Sequence, residues 1–216
     1  MLVQRRFDWA ILPEKREFKR VSPISQPAVN SFKWHANVRD ESSCLPRNLG
    51  LQIGLYVLSP VSISLDPIDE VQFHCSDDEL SSAVSENGFV ECWNRGDTRF
   101  GFRSSTNFRQ FDFRVDQHWE SMFVPNGNGT VEWRLGYNID IDDNMGLLVA
   151  PLDDLTDAVA LYGFIPSNSL KRMSASSGFS IALRIFKSTR IEKGQEIARI
   201  IPLPLSVFRQ NTEFRV

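Results

Sequence analysis

From residue 50 onward, apolar and polar residues alternate along the chain with a period of two. This period is typical of β-strands that bury one face, because successive side chains of a strand point to opposite sides. The alternation is clearest in the segments 51–57, 61–65, 71–73, 108–115 and 131–139. Further strands are predicted at 100–102, 147–150, 160–165, 179–186 and 196–201.

Turn and helix signals complete this prediction. The run from Pro125 to Gly129 contains two Asn-Gly pairs and marks a hairpin tip, since Asn-Gly favours the positive φ angles of a tight turn. Helical signals are confined to residues 77–84 and 152–158, so at most one or two short helices are expected. This pattern favours an all-β, mainly antiparallel fold, either a β-sandwich or a distorted barrel.

The first 44 residues differ from the rest of the chain. They contain several prolines and no sustained period, which predicts an extended arm over residues 1–44 and a single β domain over residues 45–216. The arm also carries five aromatic residues: Phe7, Trp9, Phe18, Phe32 and Trp34. Because aromatic side chains are costly to leave in water, we expect the arm to pack on the domain.

Composition limits the classes of protein to which the chain can belong. Of its 216 residues, 42% are hydrophobic and 24% are charged, as in packed globular domains. The net charge is −3, so nucleic acid is not expected as a partner. No stretch approaches the roughly 18 apolar residues of a spanning helix, and the N-terminus lacks a signal-peptide core. We therefore expect a cytoplasmic protein that does not contact membranes.

Charge is nevertheless distributed in blocks. Residues 66–97 carry nine acidic residues and one basic residue, whereas residues 170–216 carry nine basic and three acidic residues. Such blocks can attract one another within one chain or between subunits, and the sequence leaves both alternatives open.

Two groups of residues resemble metal sites but lack essential ligands. His118 and Glu120 have the spacing of the first two ligands of an iron site, yet no later histidine supplies the third. Asp140, Asp142 and Asp143 alternate oxygen ligands as a calcium loop does, but the glycine and glutamate that an EF-hand requires are replaced by methionine and proline. These aspartates are candidates only for a looser divalent-metal site, and no cofactor is predicted.

Arginine and phenylalanine interleave between Arg99 and Arg114. Aromatic rings beside guanidinium groups can stack bases and hold phosphates. On a strand, however, Phe111 and Phe113 share one face while the charged residues point to the other. We therefore favour a core row with a charged outer row over a nucleic-acid contact.

The C-terminal segment 191–204 reads IEKGQEIARIIPLP and resembles the closing strand pair of the dUTPase and dCTP-deaminase superfamily. Similar segments occur upstream in the family's order. Residues 51–60 resemble its early glycine-aromatic strand, Arg103-Ser104-Ser105 its phosphate-binding motif, and Tyr162-Gly163 its G-x-I-D segment. The chain is also similar to an uncharacterised group of bacterial β-rich proteins, from which no function can be inferred.

The superfamily resemblance implies a dUTPase-like fold with a pocket for a small anionic ligand such as a nucleotide. The ligand-binding residues that it implies are Arg103, Ser104, Ser105, Tyr162 and Gly163. Val57 and Pro166 stand where the family carries aspartates, so the family's reaction lacks its general base here. The resemblance therefore implies a non-catalytic or degenerate binding protein.

Two other functions are left open. The arm and the charge blocks are compatible with a structural or interaction protein that forms a homo-oligomer or docks a protein partner. The cluster of Asp140, Asp142 and Asp143 is compatible with a divalent-metal-dependent enzyme.

Overall fold

The computed structural model describes residues 1–16 and 45–209. Within these residues the chain forms seventeen strands, three α-helices and two 3-10 helices. The strands are β1 (Leu2–Arg5), β2 (Leu55–Leu58), β3 (Ile63–Leu65), β4 (Glu70–Phe73), β5 (Glu91–Arg95), β6 (Thr98–Phe102), β7 (Asp112–Val115), β8 (His118–Ser121), β9 (Phe123–Gly127), β10 (Thr130–Arg134), β11 (Tyr137–Asp140), β12 (Met145–Ala150), β13 (Ala158–Ala160), β14 (Gly163–Pro166), β15 (Ser180–Ile185), β16 (Thr189–Ile191) and β17 (Glu196–Pro204). The α-helices are α1 (Leu45–Gln52), α2 (Leu80–Glu86) and α3 (Ser167–Ala175), and the 3-10 helices cover Phe108–Phe111 and Leu205–Arg209.

The described strands pair only in the antiparallel sense. Two four-stranded sheets form the body, one in the order β13-β15-β10-β9 and the other in the order β14-β12-β17-β2. A three-stranded sheet, β4-β6-β5, and three strand pairs, β1-β11, β16-β3 and β7-β8, complete the structure. In the described ranges no sheet closes on itself, so the fold is mainly antiparallel β without a closed barrel.

Both four-stranded sheets contribute to one hydrophobic core. Trp133 of β10 and Leu183 of β15 are fully buried, as are Leu147 of β12 and Ile200 of β17, and all four belong to the same cluster of buried residues. Full burial of an apolar side chain contributes about 1.5–3 kcal/mol, so this shared cluster is the main source of stability. The alternation seen in the sequence therefore reports strands with one face in the core.

The predicted hairpin tip is confirmed. β9 and β10 are joined at Asn128 and Gly129, which have φ angles of +54° and +69°. Positive φ at both positions gives the turn a twist that matches the flanking strands, and this is why Asn-Gly is favoured there.

The helices depart from the sequence prediction. α2 overlaps the predicted helical region 77–84 and ends two residues after it. Residues 152–158 instead form a loop and the start of β13, where the carbonyl of Asp157 accepts the backbone N–H of Phe186 at 2.8 Å. Helix α3 was not expected, since only Leu170 and the half-buried Met173 mark its apolar side. With α1, this gives three helices in the described residues instead of at most two.

Two predicted strands are also redrawn. The segment 51–57 begins inside α1, and the strand starts only after Gly54, whose φ of +86° turns the chain between the helix and the strand. The segment 160–165 is divided between β13 and β14, which lie in different sheets. Short alternating runs do not distinguish a strand from a helix end, so these boundaries depended on tertiary contacts.

The first residues of the chain lie against the β body. β1 pairs with β11, and the rings of Phe7 and Trp9 each lie 5.0 Å from the ring of Phe113. Further along, Glu14 pairs with Tyr56 at the edge of β2. The remaining arm aromatics, Phe18, Phe32 and Trp34, lie outside the described residues. The division into an arm of residues 1–44 and a domain of residues 45–216 stays a prediction.

Among the helices that the structure describes, none combines the length and apolar character needed to cross a membrane.

Candidate functional site

An open groove of about 740 Å³ lies where five parts of the fold meet. The walls come from the residue after β1, from strand β5, from the first 3-10 helix, from the hairpin β7-β8 with β9 and β10, and from the end of α3 with the segment after it. Its lining residues are Arg6, Cys92, Trp93, Asn94, Arg109, Val115, His118, Trp119, Glu120, Ser121, Val124, Arg134, Ala175, Ser176 and Ser177.

The groove is positively charged although the chain as a whole is negative. Among the described residues, three arginines, Arg6, Arg109 and Arg134, line it against the single carboxylate of Glu120. This concentration of guanidinium groups raises the local potential and favours anions. We name this feature the basic groove.

Two of the arginines are held by defined contacts. Arg6 donates a hydrogen bond from Nη1 to the carbonyl of Ser174 at 2.7 Å, at the C-terminal end of α3. Arg134 donates from Nη1 to Glu120 at 2.9 Å, while its buried Nε has no partner among the residues that the structure describes. His118 places Nε2 3.5 Å from the same carboxylate. Glu120 therefore has Arg134 and His118 as neighbours on one side of the groove.

Arg109 is oriented by a buried carboxylate. Its guanidinium lies 4.3 Å from the centre of the Trp93 ring, and its Nη2 donates to the carbonyl of Cys92 at 3.0 Å. The Glu91 side chain, only 8% exposed, lies 3.8 Å from Arg109 Nε and accepts the indole N–H of Trp93 at 2.6 Å. It also accepts the backbone N–H of Thr106 at 2.6 Å and the Thr106 hydroxyl at 2.8 Å. Glu91 thus joins the wall of the groove to the loop after β6.

Trp119 is the second unusual feature of the basic groove. It lies on β8, directly opposite Arg114 of β7, and it is 70% exposed. Tryptophan usually buries most of its large ring, so an indole left at the rim of a groove offers a flat surface for stacking. The β7-β8 hairpin has a tight turn, with Asp116 at a φ of +51°, and this turn positions the Trp119 ring at the rim of the groove.

The residues predicted from the family resemblance lie in two separate parts of the fold. Arg103, Ser104 and Ser105 are exposed and follow β6, which is the central strand of the three-stranded sheet. Tyr162 is 75% exposed, and Gly163 begins β14, where it pairs with Val149. Ser105 lines a second pocket, together with Arg109, and neither Tyr162 nor Gly163 lines that pocket. The five-residue ligand site stays a prediction.

The acidic cluster is exposed and partly neutralised. Asp140 ends β11, and Asp142 and Asp143 lie in the turn before β12. Asp143 forms an ion pair with Lys171 of α3 at 2.5 Å, which raises the pKa of that lysine through a hydrogen bond. In residues 1–16 and 45–209, no group of three potential metal ligands comes together.

Sequence reasoning did not find the basic groove as a site. Arg109 belongs to the interleaved segment that we interpreted as a core row with a charged outer row, and His118 and Glu120 belong to the segment compared with an iron site. Residues 108–111 form a 3-10 helix instead of a strand, which turns Arg109 toward Trp93. Arg6 and Arg134 carry no local signal, because long-range pairing alone brings β1 and β10 to the same groove.

Comparison with known proteins yields only distant likenesses. No family model matches the chain, and no curated protein matches it. Among solved structures, a mutant dUTPase from phage phi11 of S. aureus has a TM-score of 0.42 and 9% identity, and the match covers 100% of this chain and 94% of that one. A mutant dUTPase of Staphylococcus bacteriophage 80alpha, with dUpNHpp, has a TM-score of 0.40 and 12% identity over 100% and 86% of the two chains. The chain thus bears a weak resemblance to phage dUTPases.

Proposed function

We propose that the protein binds a small anionic ligand, such as a nucleotide, in the basic groove without catalysing its conversion. The observation that carries this proposal is the convergence of Arg6, Arg109 and Arg134 beside the exposed ring of Trp119. Guanidinium groups match the oxygens of phosphate and carboxylate, and an exposed indole matches a planar ring. A ligand that carries both features uses the whole groove.

The contacts of the arginines support binding more than catalysis. Glu120 already accepts a hydrogen bond from Arg134, so the only carboxylate among the described residues that line the groove is committed to a neighbouring side chain. Charge-assisted hydrogen bonds contribute about 1.5–3 kcal/mol each, and stacking of one ring on an aromatic side chain contributes about 1–3 kcal/mol. Two such hydrogen bonds with one stacked ring total about 4–9 kcal/mol before the entropy of association, about 4 kcal/mol or more, is subtracted, so weak binding near the millimolar range is expected.

Titration with nucleotides tests this proposal and locates the site. Binding of UMP and of pyrophosphate is measured by calorimetry at low salt for the wild type and for Arg109→Ala and Arg103→Ala. Binding in the basic groove predicts at least a tenfold loss for Arg109→Ala and no change for Arg103→Ala. The reverse order supports the site formed by Arg103, Ser104, Ser105, Tyr162 and Gly163. If the wild type binds neither compound, the proposed function is wrong.

Self-assembly is the alternative function, and the structure bears on it at the N-terminus. Residues of β1 pair with β11 of the same chain, and Phe7 and Trp9 pack on Phe113. These contacts use the first part of the arm within one chain. Light scattering of the full chain and of a chain lacking residues 1–40 tests the alternative. An oligomer that becomes a monomer on deletion supports self-assembly through the arm, whereas a monomer in both cases contradicts it.

A further inference from the structure

A second pocket of about 400 Å³ adjoins the basic groove at Arg109. The two spaces share Cys92 and Arg109, so these two residues lie between them. The other residues that line the second pocket are Val90, Glu91, Ser105, Thr106 and Gln110. A ligand bound to Arg109 in the basic groove can therefore extend into this pocket without leaving the protein surface.

The second pocket differs from the basic groove in charge. Its single carboxylate, Glu91, lies 3.8 Å from the guanidinium of Arg109, so the two charges balance. Beyond this pair, the basic groove contains Arg6 and Arg134 against the one carboxylate of Glu120 among the described residues, so it keeps an excess positive charge. The potential that attracts anions therefore falls across Arg109, and the second pocket has no net charge to hold an anion.

The polar groups of the second pocket suit an uncharged partner. The Ser105 hydroxyl and the Gln110 amide are exposed, and among the described residues each makes one long hydrogen bond, of 3.3 Å, to a neighbour. Both groups can donate and accept hydrogen bonds. Beside them, Val90 is 65% exposed and supplies an apolar surface. The loop that carries Ser105 is anchored, because the buried Glu91 carboxylate holds Thr106 through both its N–H and its hydroxyl.

We propose that this pocket is a subsite for an uncharged polar group, bearing hydroxyl or amide functions, that is covalently attached to the anion in the basic groove. The proposal rests on the proposed function, since Arg109 must hold the anion at the junction. Ser105 and Gln110 contact the uncharged group, and Val90 packs against its apolar face.

Two compounds with the same phosphate group test the subsite. Methyl phosphate supplies the anion alone, and ribose 5-phosphate adds an uncharged polyhydroxy group. Their affinities for the full chain are measured by chemical-shift titration of the ¹⁵N-labelled protein at low salt. Two hydrogen bonds to the sugar predict that ribose 5-phosphate binds about tenfold more tightly than methyl phosphate.

Variants at exposed positions locate the effect. The double variant Ser105→Ala with Gln110→Ala is expected to bind both compounds equally and to keep the wild-type affinity for methyl phosphate within about twofold. The matched control, Ser81→Ala with Gln117→Ala, changes exposed residues that line neither cavity and is expected to keep the tenfold preference. Thermal unfolding of both variants verifies that they fold.

Each result has one meaning. Equal binding of the two compounds by the wild type overturns the subsite and leaves the anion site in place. A preference that survives in the double variant also overturns it, because the sugar then lies elsewhere. If neither compound binds although UMP or pyrophosphate does, the subsite is overturned and the proposed function stands. If no anion binds, both proposals are wrong.

Discussion

Removal of the Glu91 carboxylate is the most informative perturbation of this structure. The side chain is 8% exposed and accepts three hydrogen bonds of 2.6–2.8 Å, from the indole of Trp93 and from the N–H and hydroxyl of Thr106. Glu91→Ala leaves these donors without an acceptor. The Thr106 hydroxyl can turn toward water, whereas the two N–H groups are fixed in direction. An unsatisfied buried donor costs about 1–3 kcal/mol.

The expected loss follows from these contacts. Two N–H donors at about 1.5 kcal/mol each give about 3 kcal/mol, and release of a desolvated carboxylate offsets part of this, so Glu91→Ala is expected to lower the free energy of unfolding by about 2–3 kcal/mol. Glu91→Gln keeps one acceptor oxygen and is expected to lose about half as much. The ion pair with Arg109 adds little, because the arginine side chain is 56% exposed.

Urea unfolding, followed by far-ultraviolet circular dichroism, measures this effect. Glu86→Ala is the matched control, since Glu86 is an exposed carboxylate at the end of α2, and its change is expected to stay within about 0.5 kcal/mol. The order of stability should be wild type, Glu91→Gln, Glu91→Ala. A loss below about 0.5 kcal/mol for Glu91→Ala would refute the view that a buried carboxylate organises this wall of the groove.

Three further predictions concern separate features. Trp119→Ala should weaken UMP binding about tenfold and leave pyrophosphate binding and thermal stability unchanged, because the ring is 70% exposed; equal losses for both ligands would contradict stacking. Gly54→Ala should destabilise by about 2–4 kcal/mol in urea, since its Cβ would lie 2.2 Å from a backbone oxygen of β17, whereas Gly194→Ala, with a similar φ of +83° and open space, should cost only about 1 kcal/mol. Burial raises the pKa of Tyr137 above the ordinary value of 10.0, so its contribution to stability is present below pH 10 and is lost as the pH rises further. In alkaline unfolding, Tyr137→Phe should remove part of this loss and Tyr162→Phe, at a 75% exposed position, should not; identical profiles would argue against burial of the phenol.

Much of the fold could be predicted because its signals are local. The alternation in residues 131–139 corresponds to β10 and β11, and that in residues 61–65 contains β3. A strand with one buried face needs apolar residues at every second position, so a short stretch of sequence is enough to recognise it. The hairpin tip at Asn128 and Gly129 was predictable for the same reason, since positive φ angles select the residue type.

The helices show where local reasoning stops. Helix α3 buries only Ser167 and Leu170, and it is stabilised from outside by Arg6 at the carbonyl of Ser174 and by Asp143 at Lys171. A nine-residue helix is too short to be stable by propensity alone, so its existence depends on these partners. The sequence of residues 167–175 does not indicate that Arg6 and Asp143 are its partners.

The sequence by itself determined the class of fold, the positions of most strands and the turn between β9 and β10. Only the tertiary structure decided where charge collects, because Arg6, Arg109 and Arg134 come from three distant segments that meet through strand pairing and a 3-10 turn. Backbone conformation follows from near neighbours, whereas a binding surface is formed by residues whose proximity depends on how the sheets pack. That physical difference explains why the strands could be predicted from the chain and the basic groove could not.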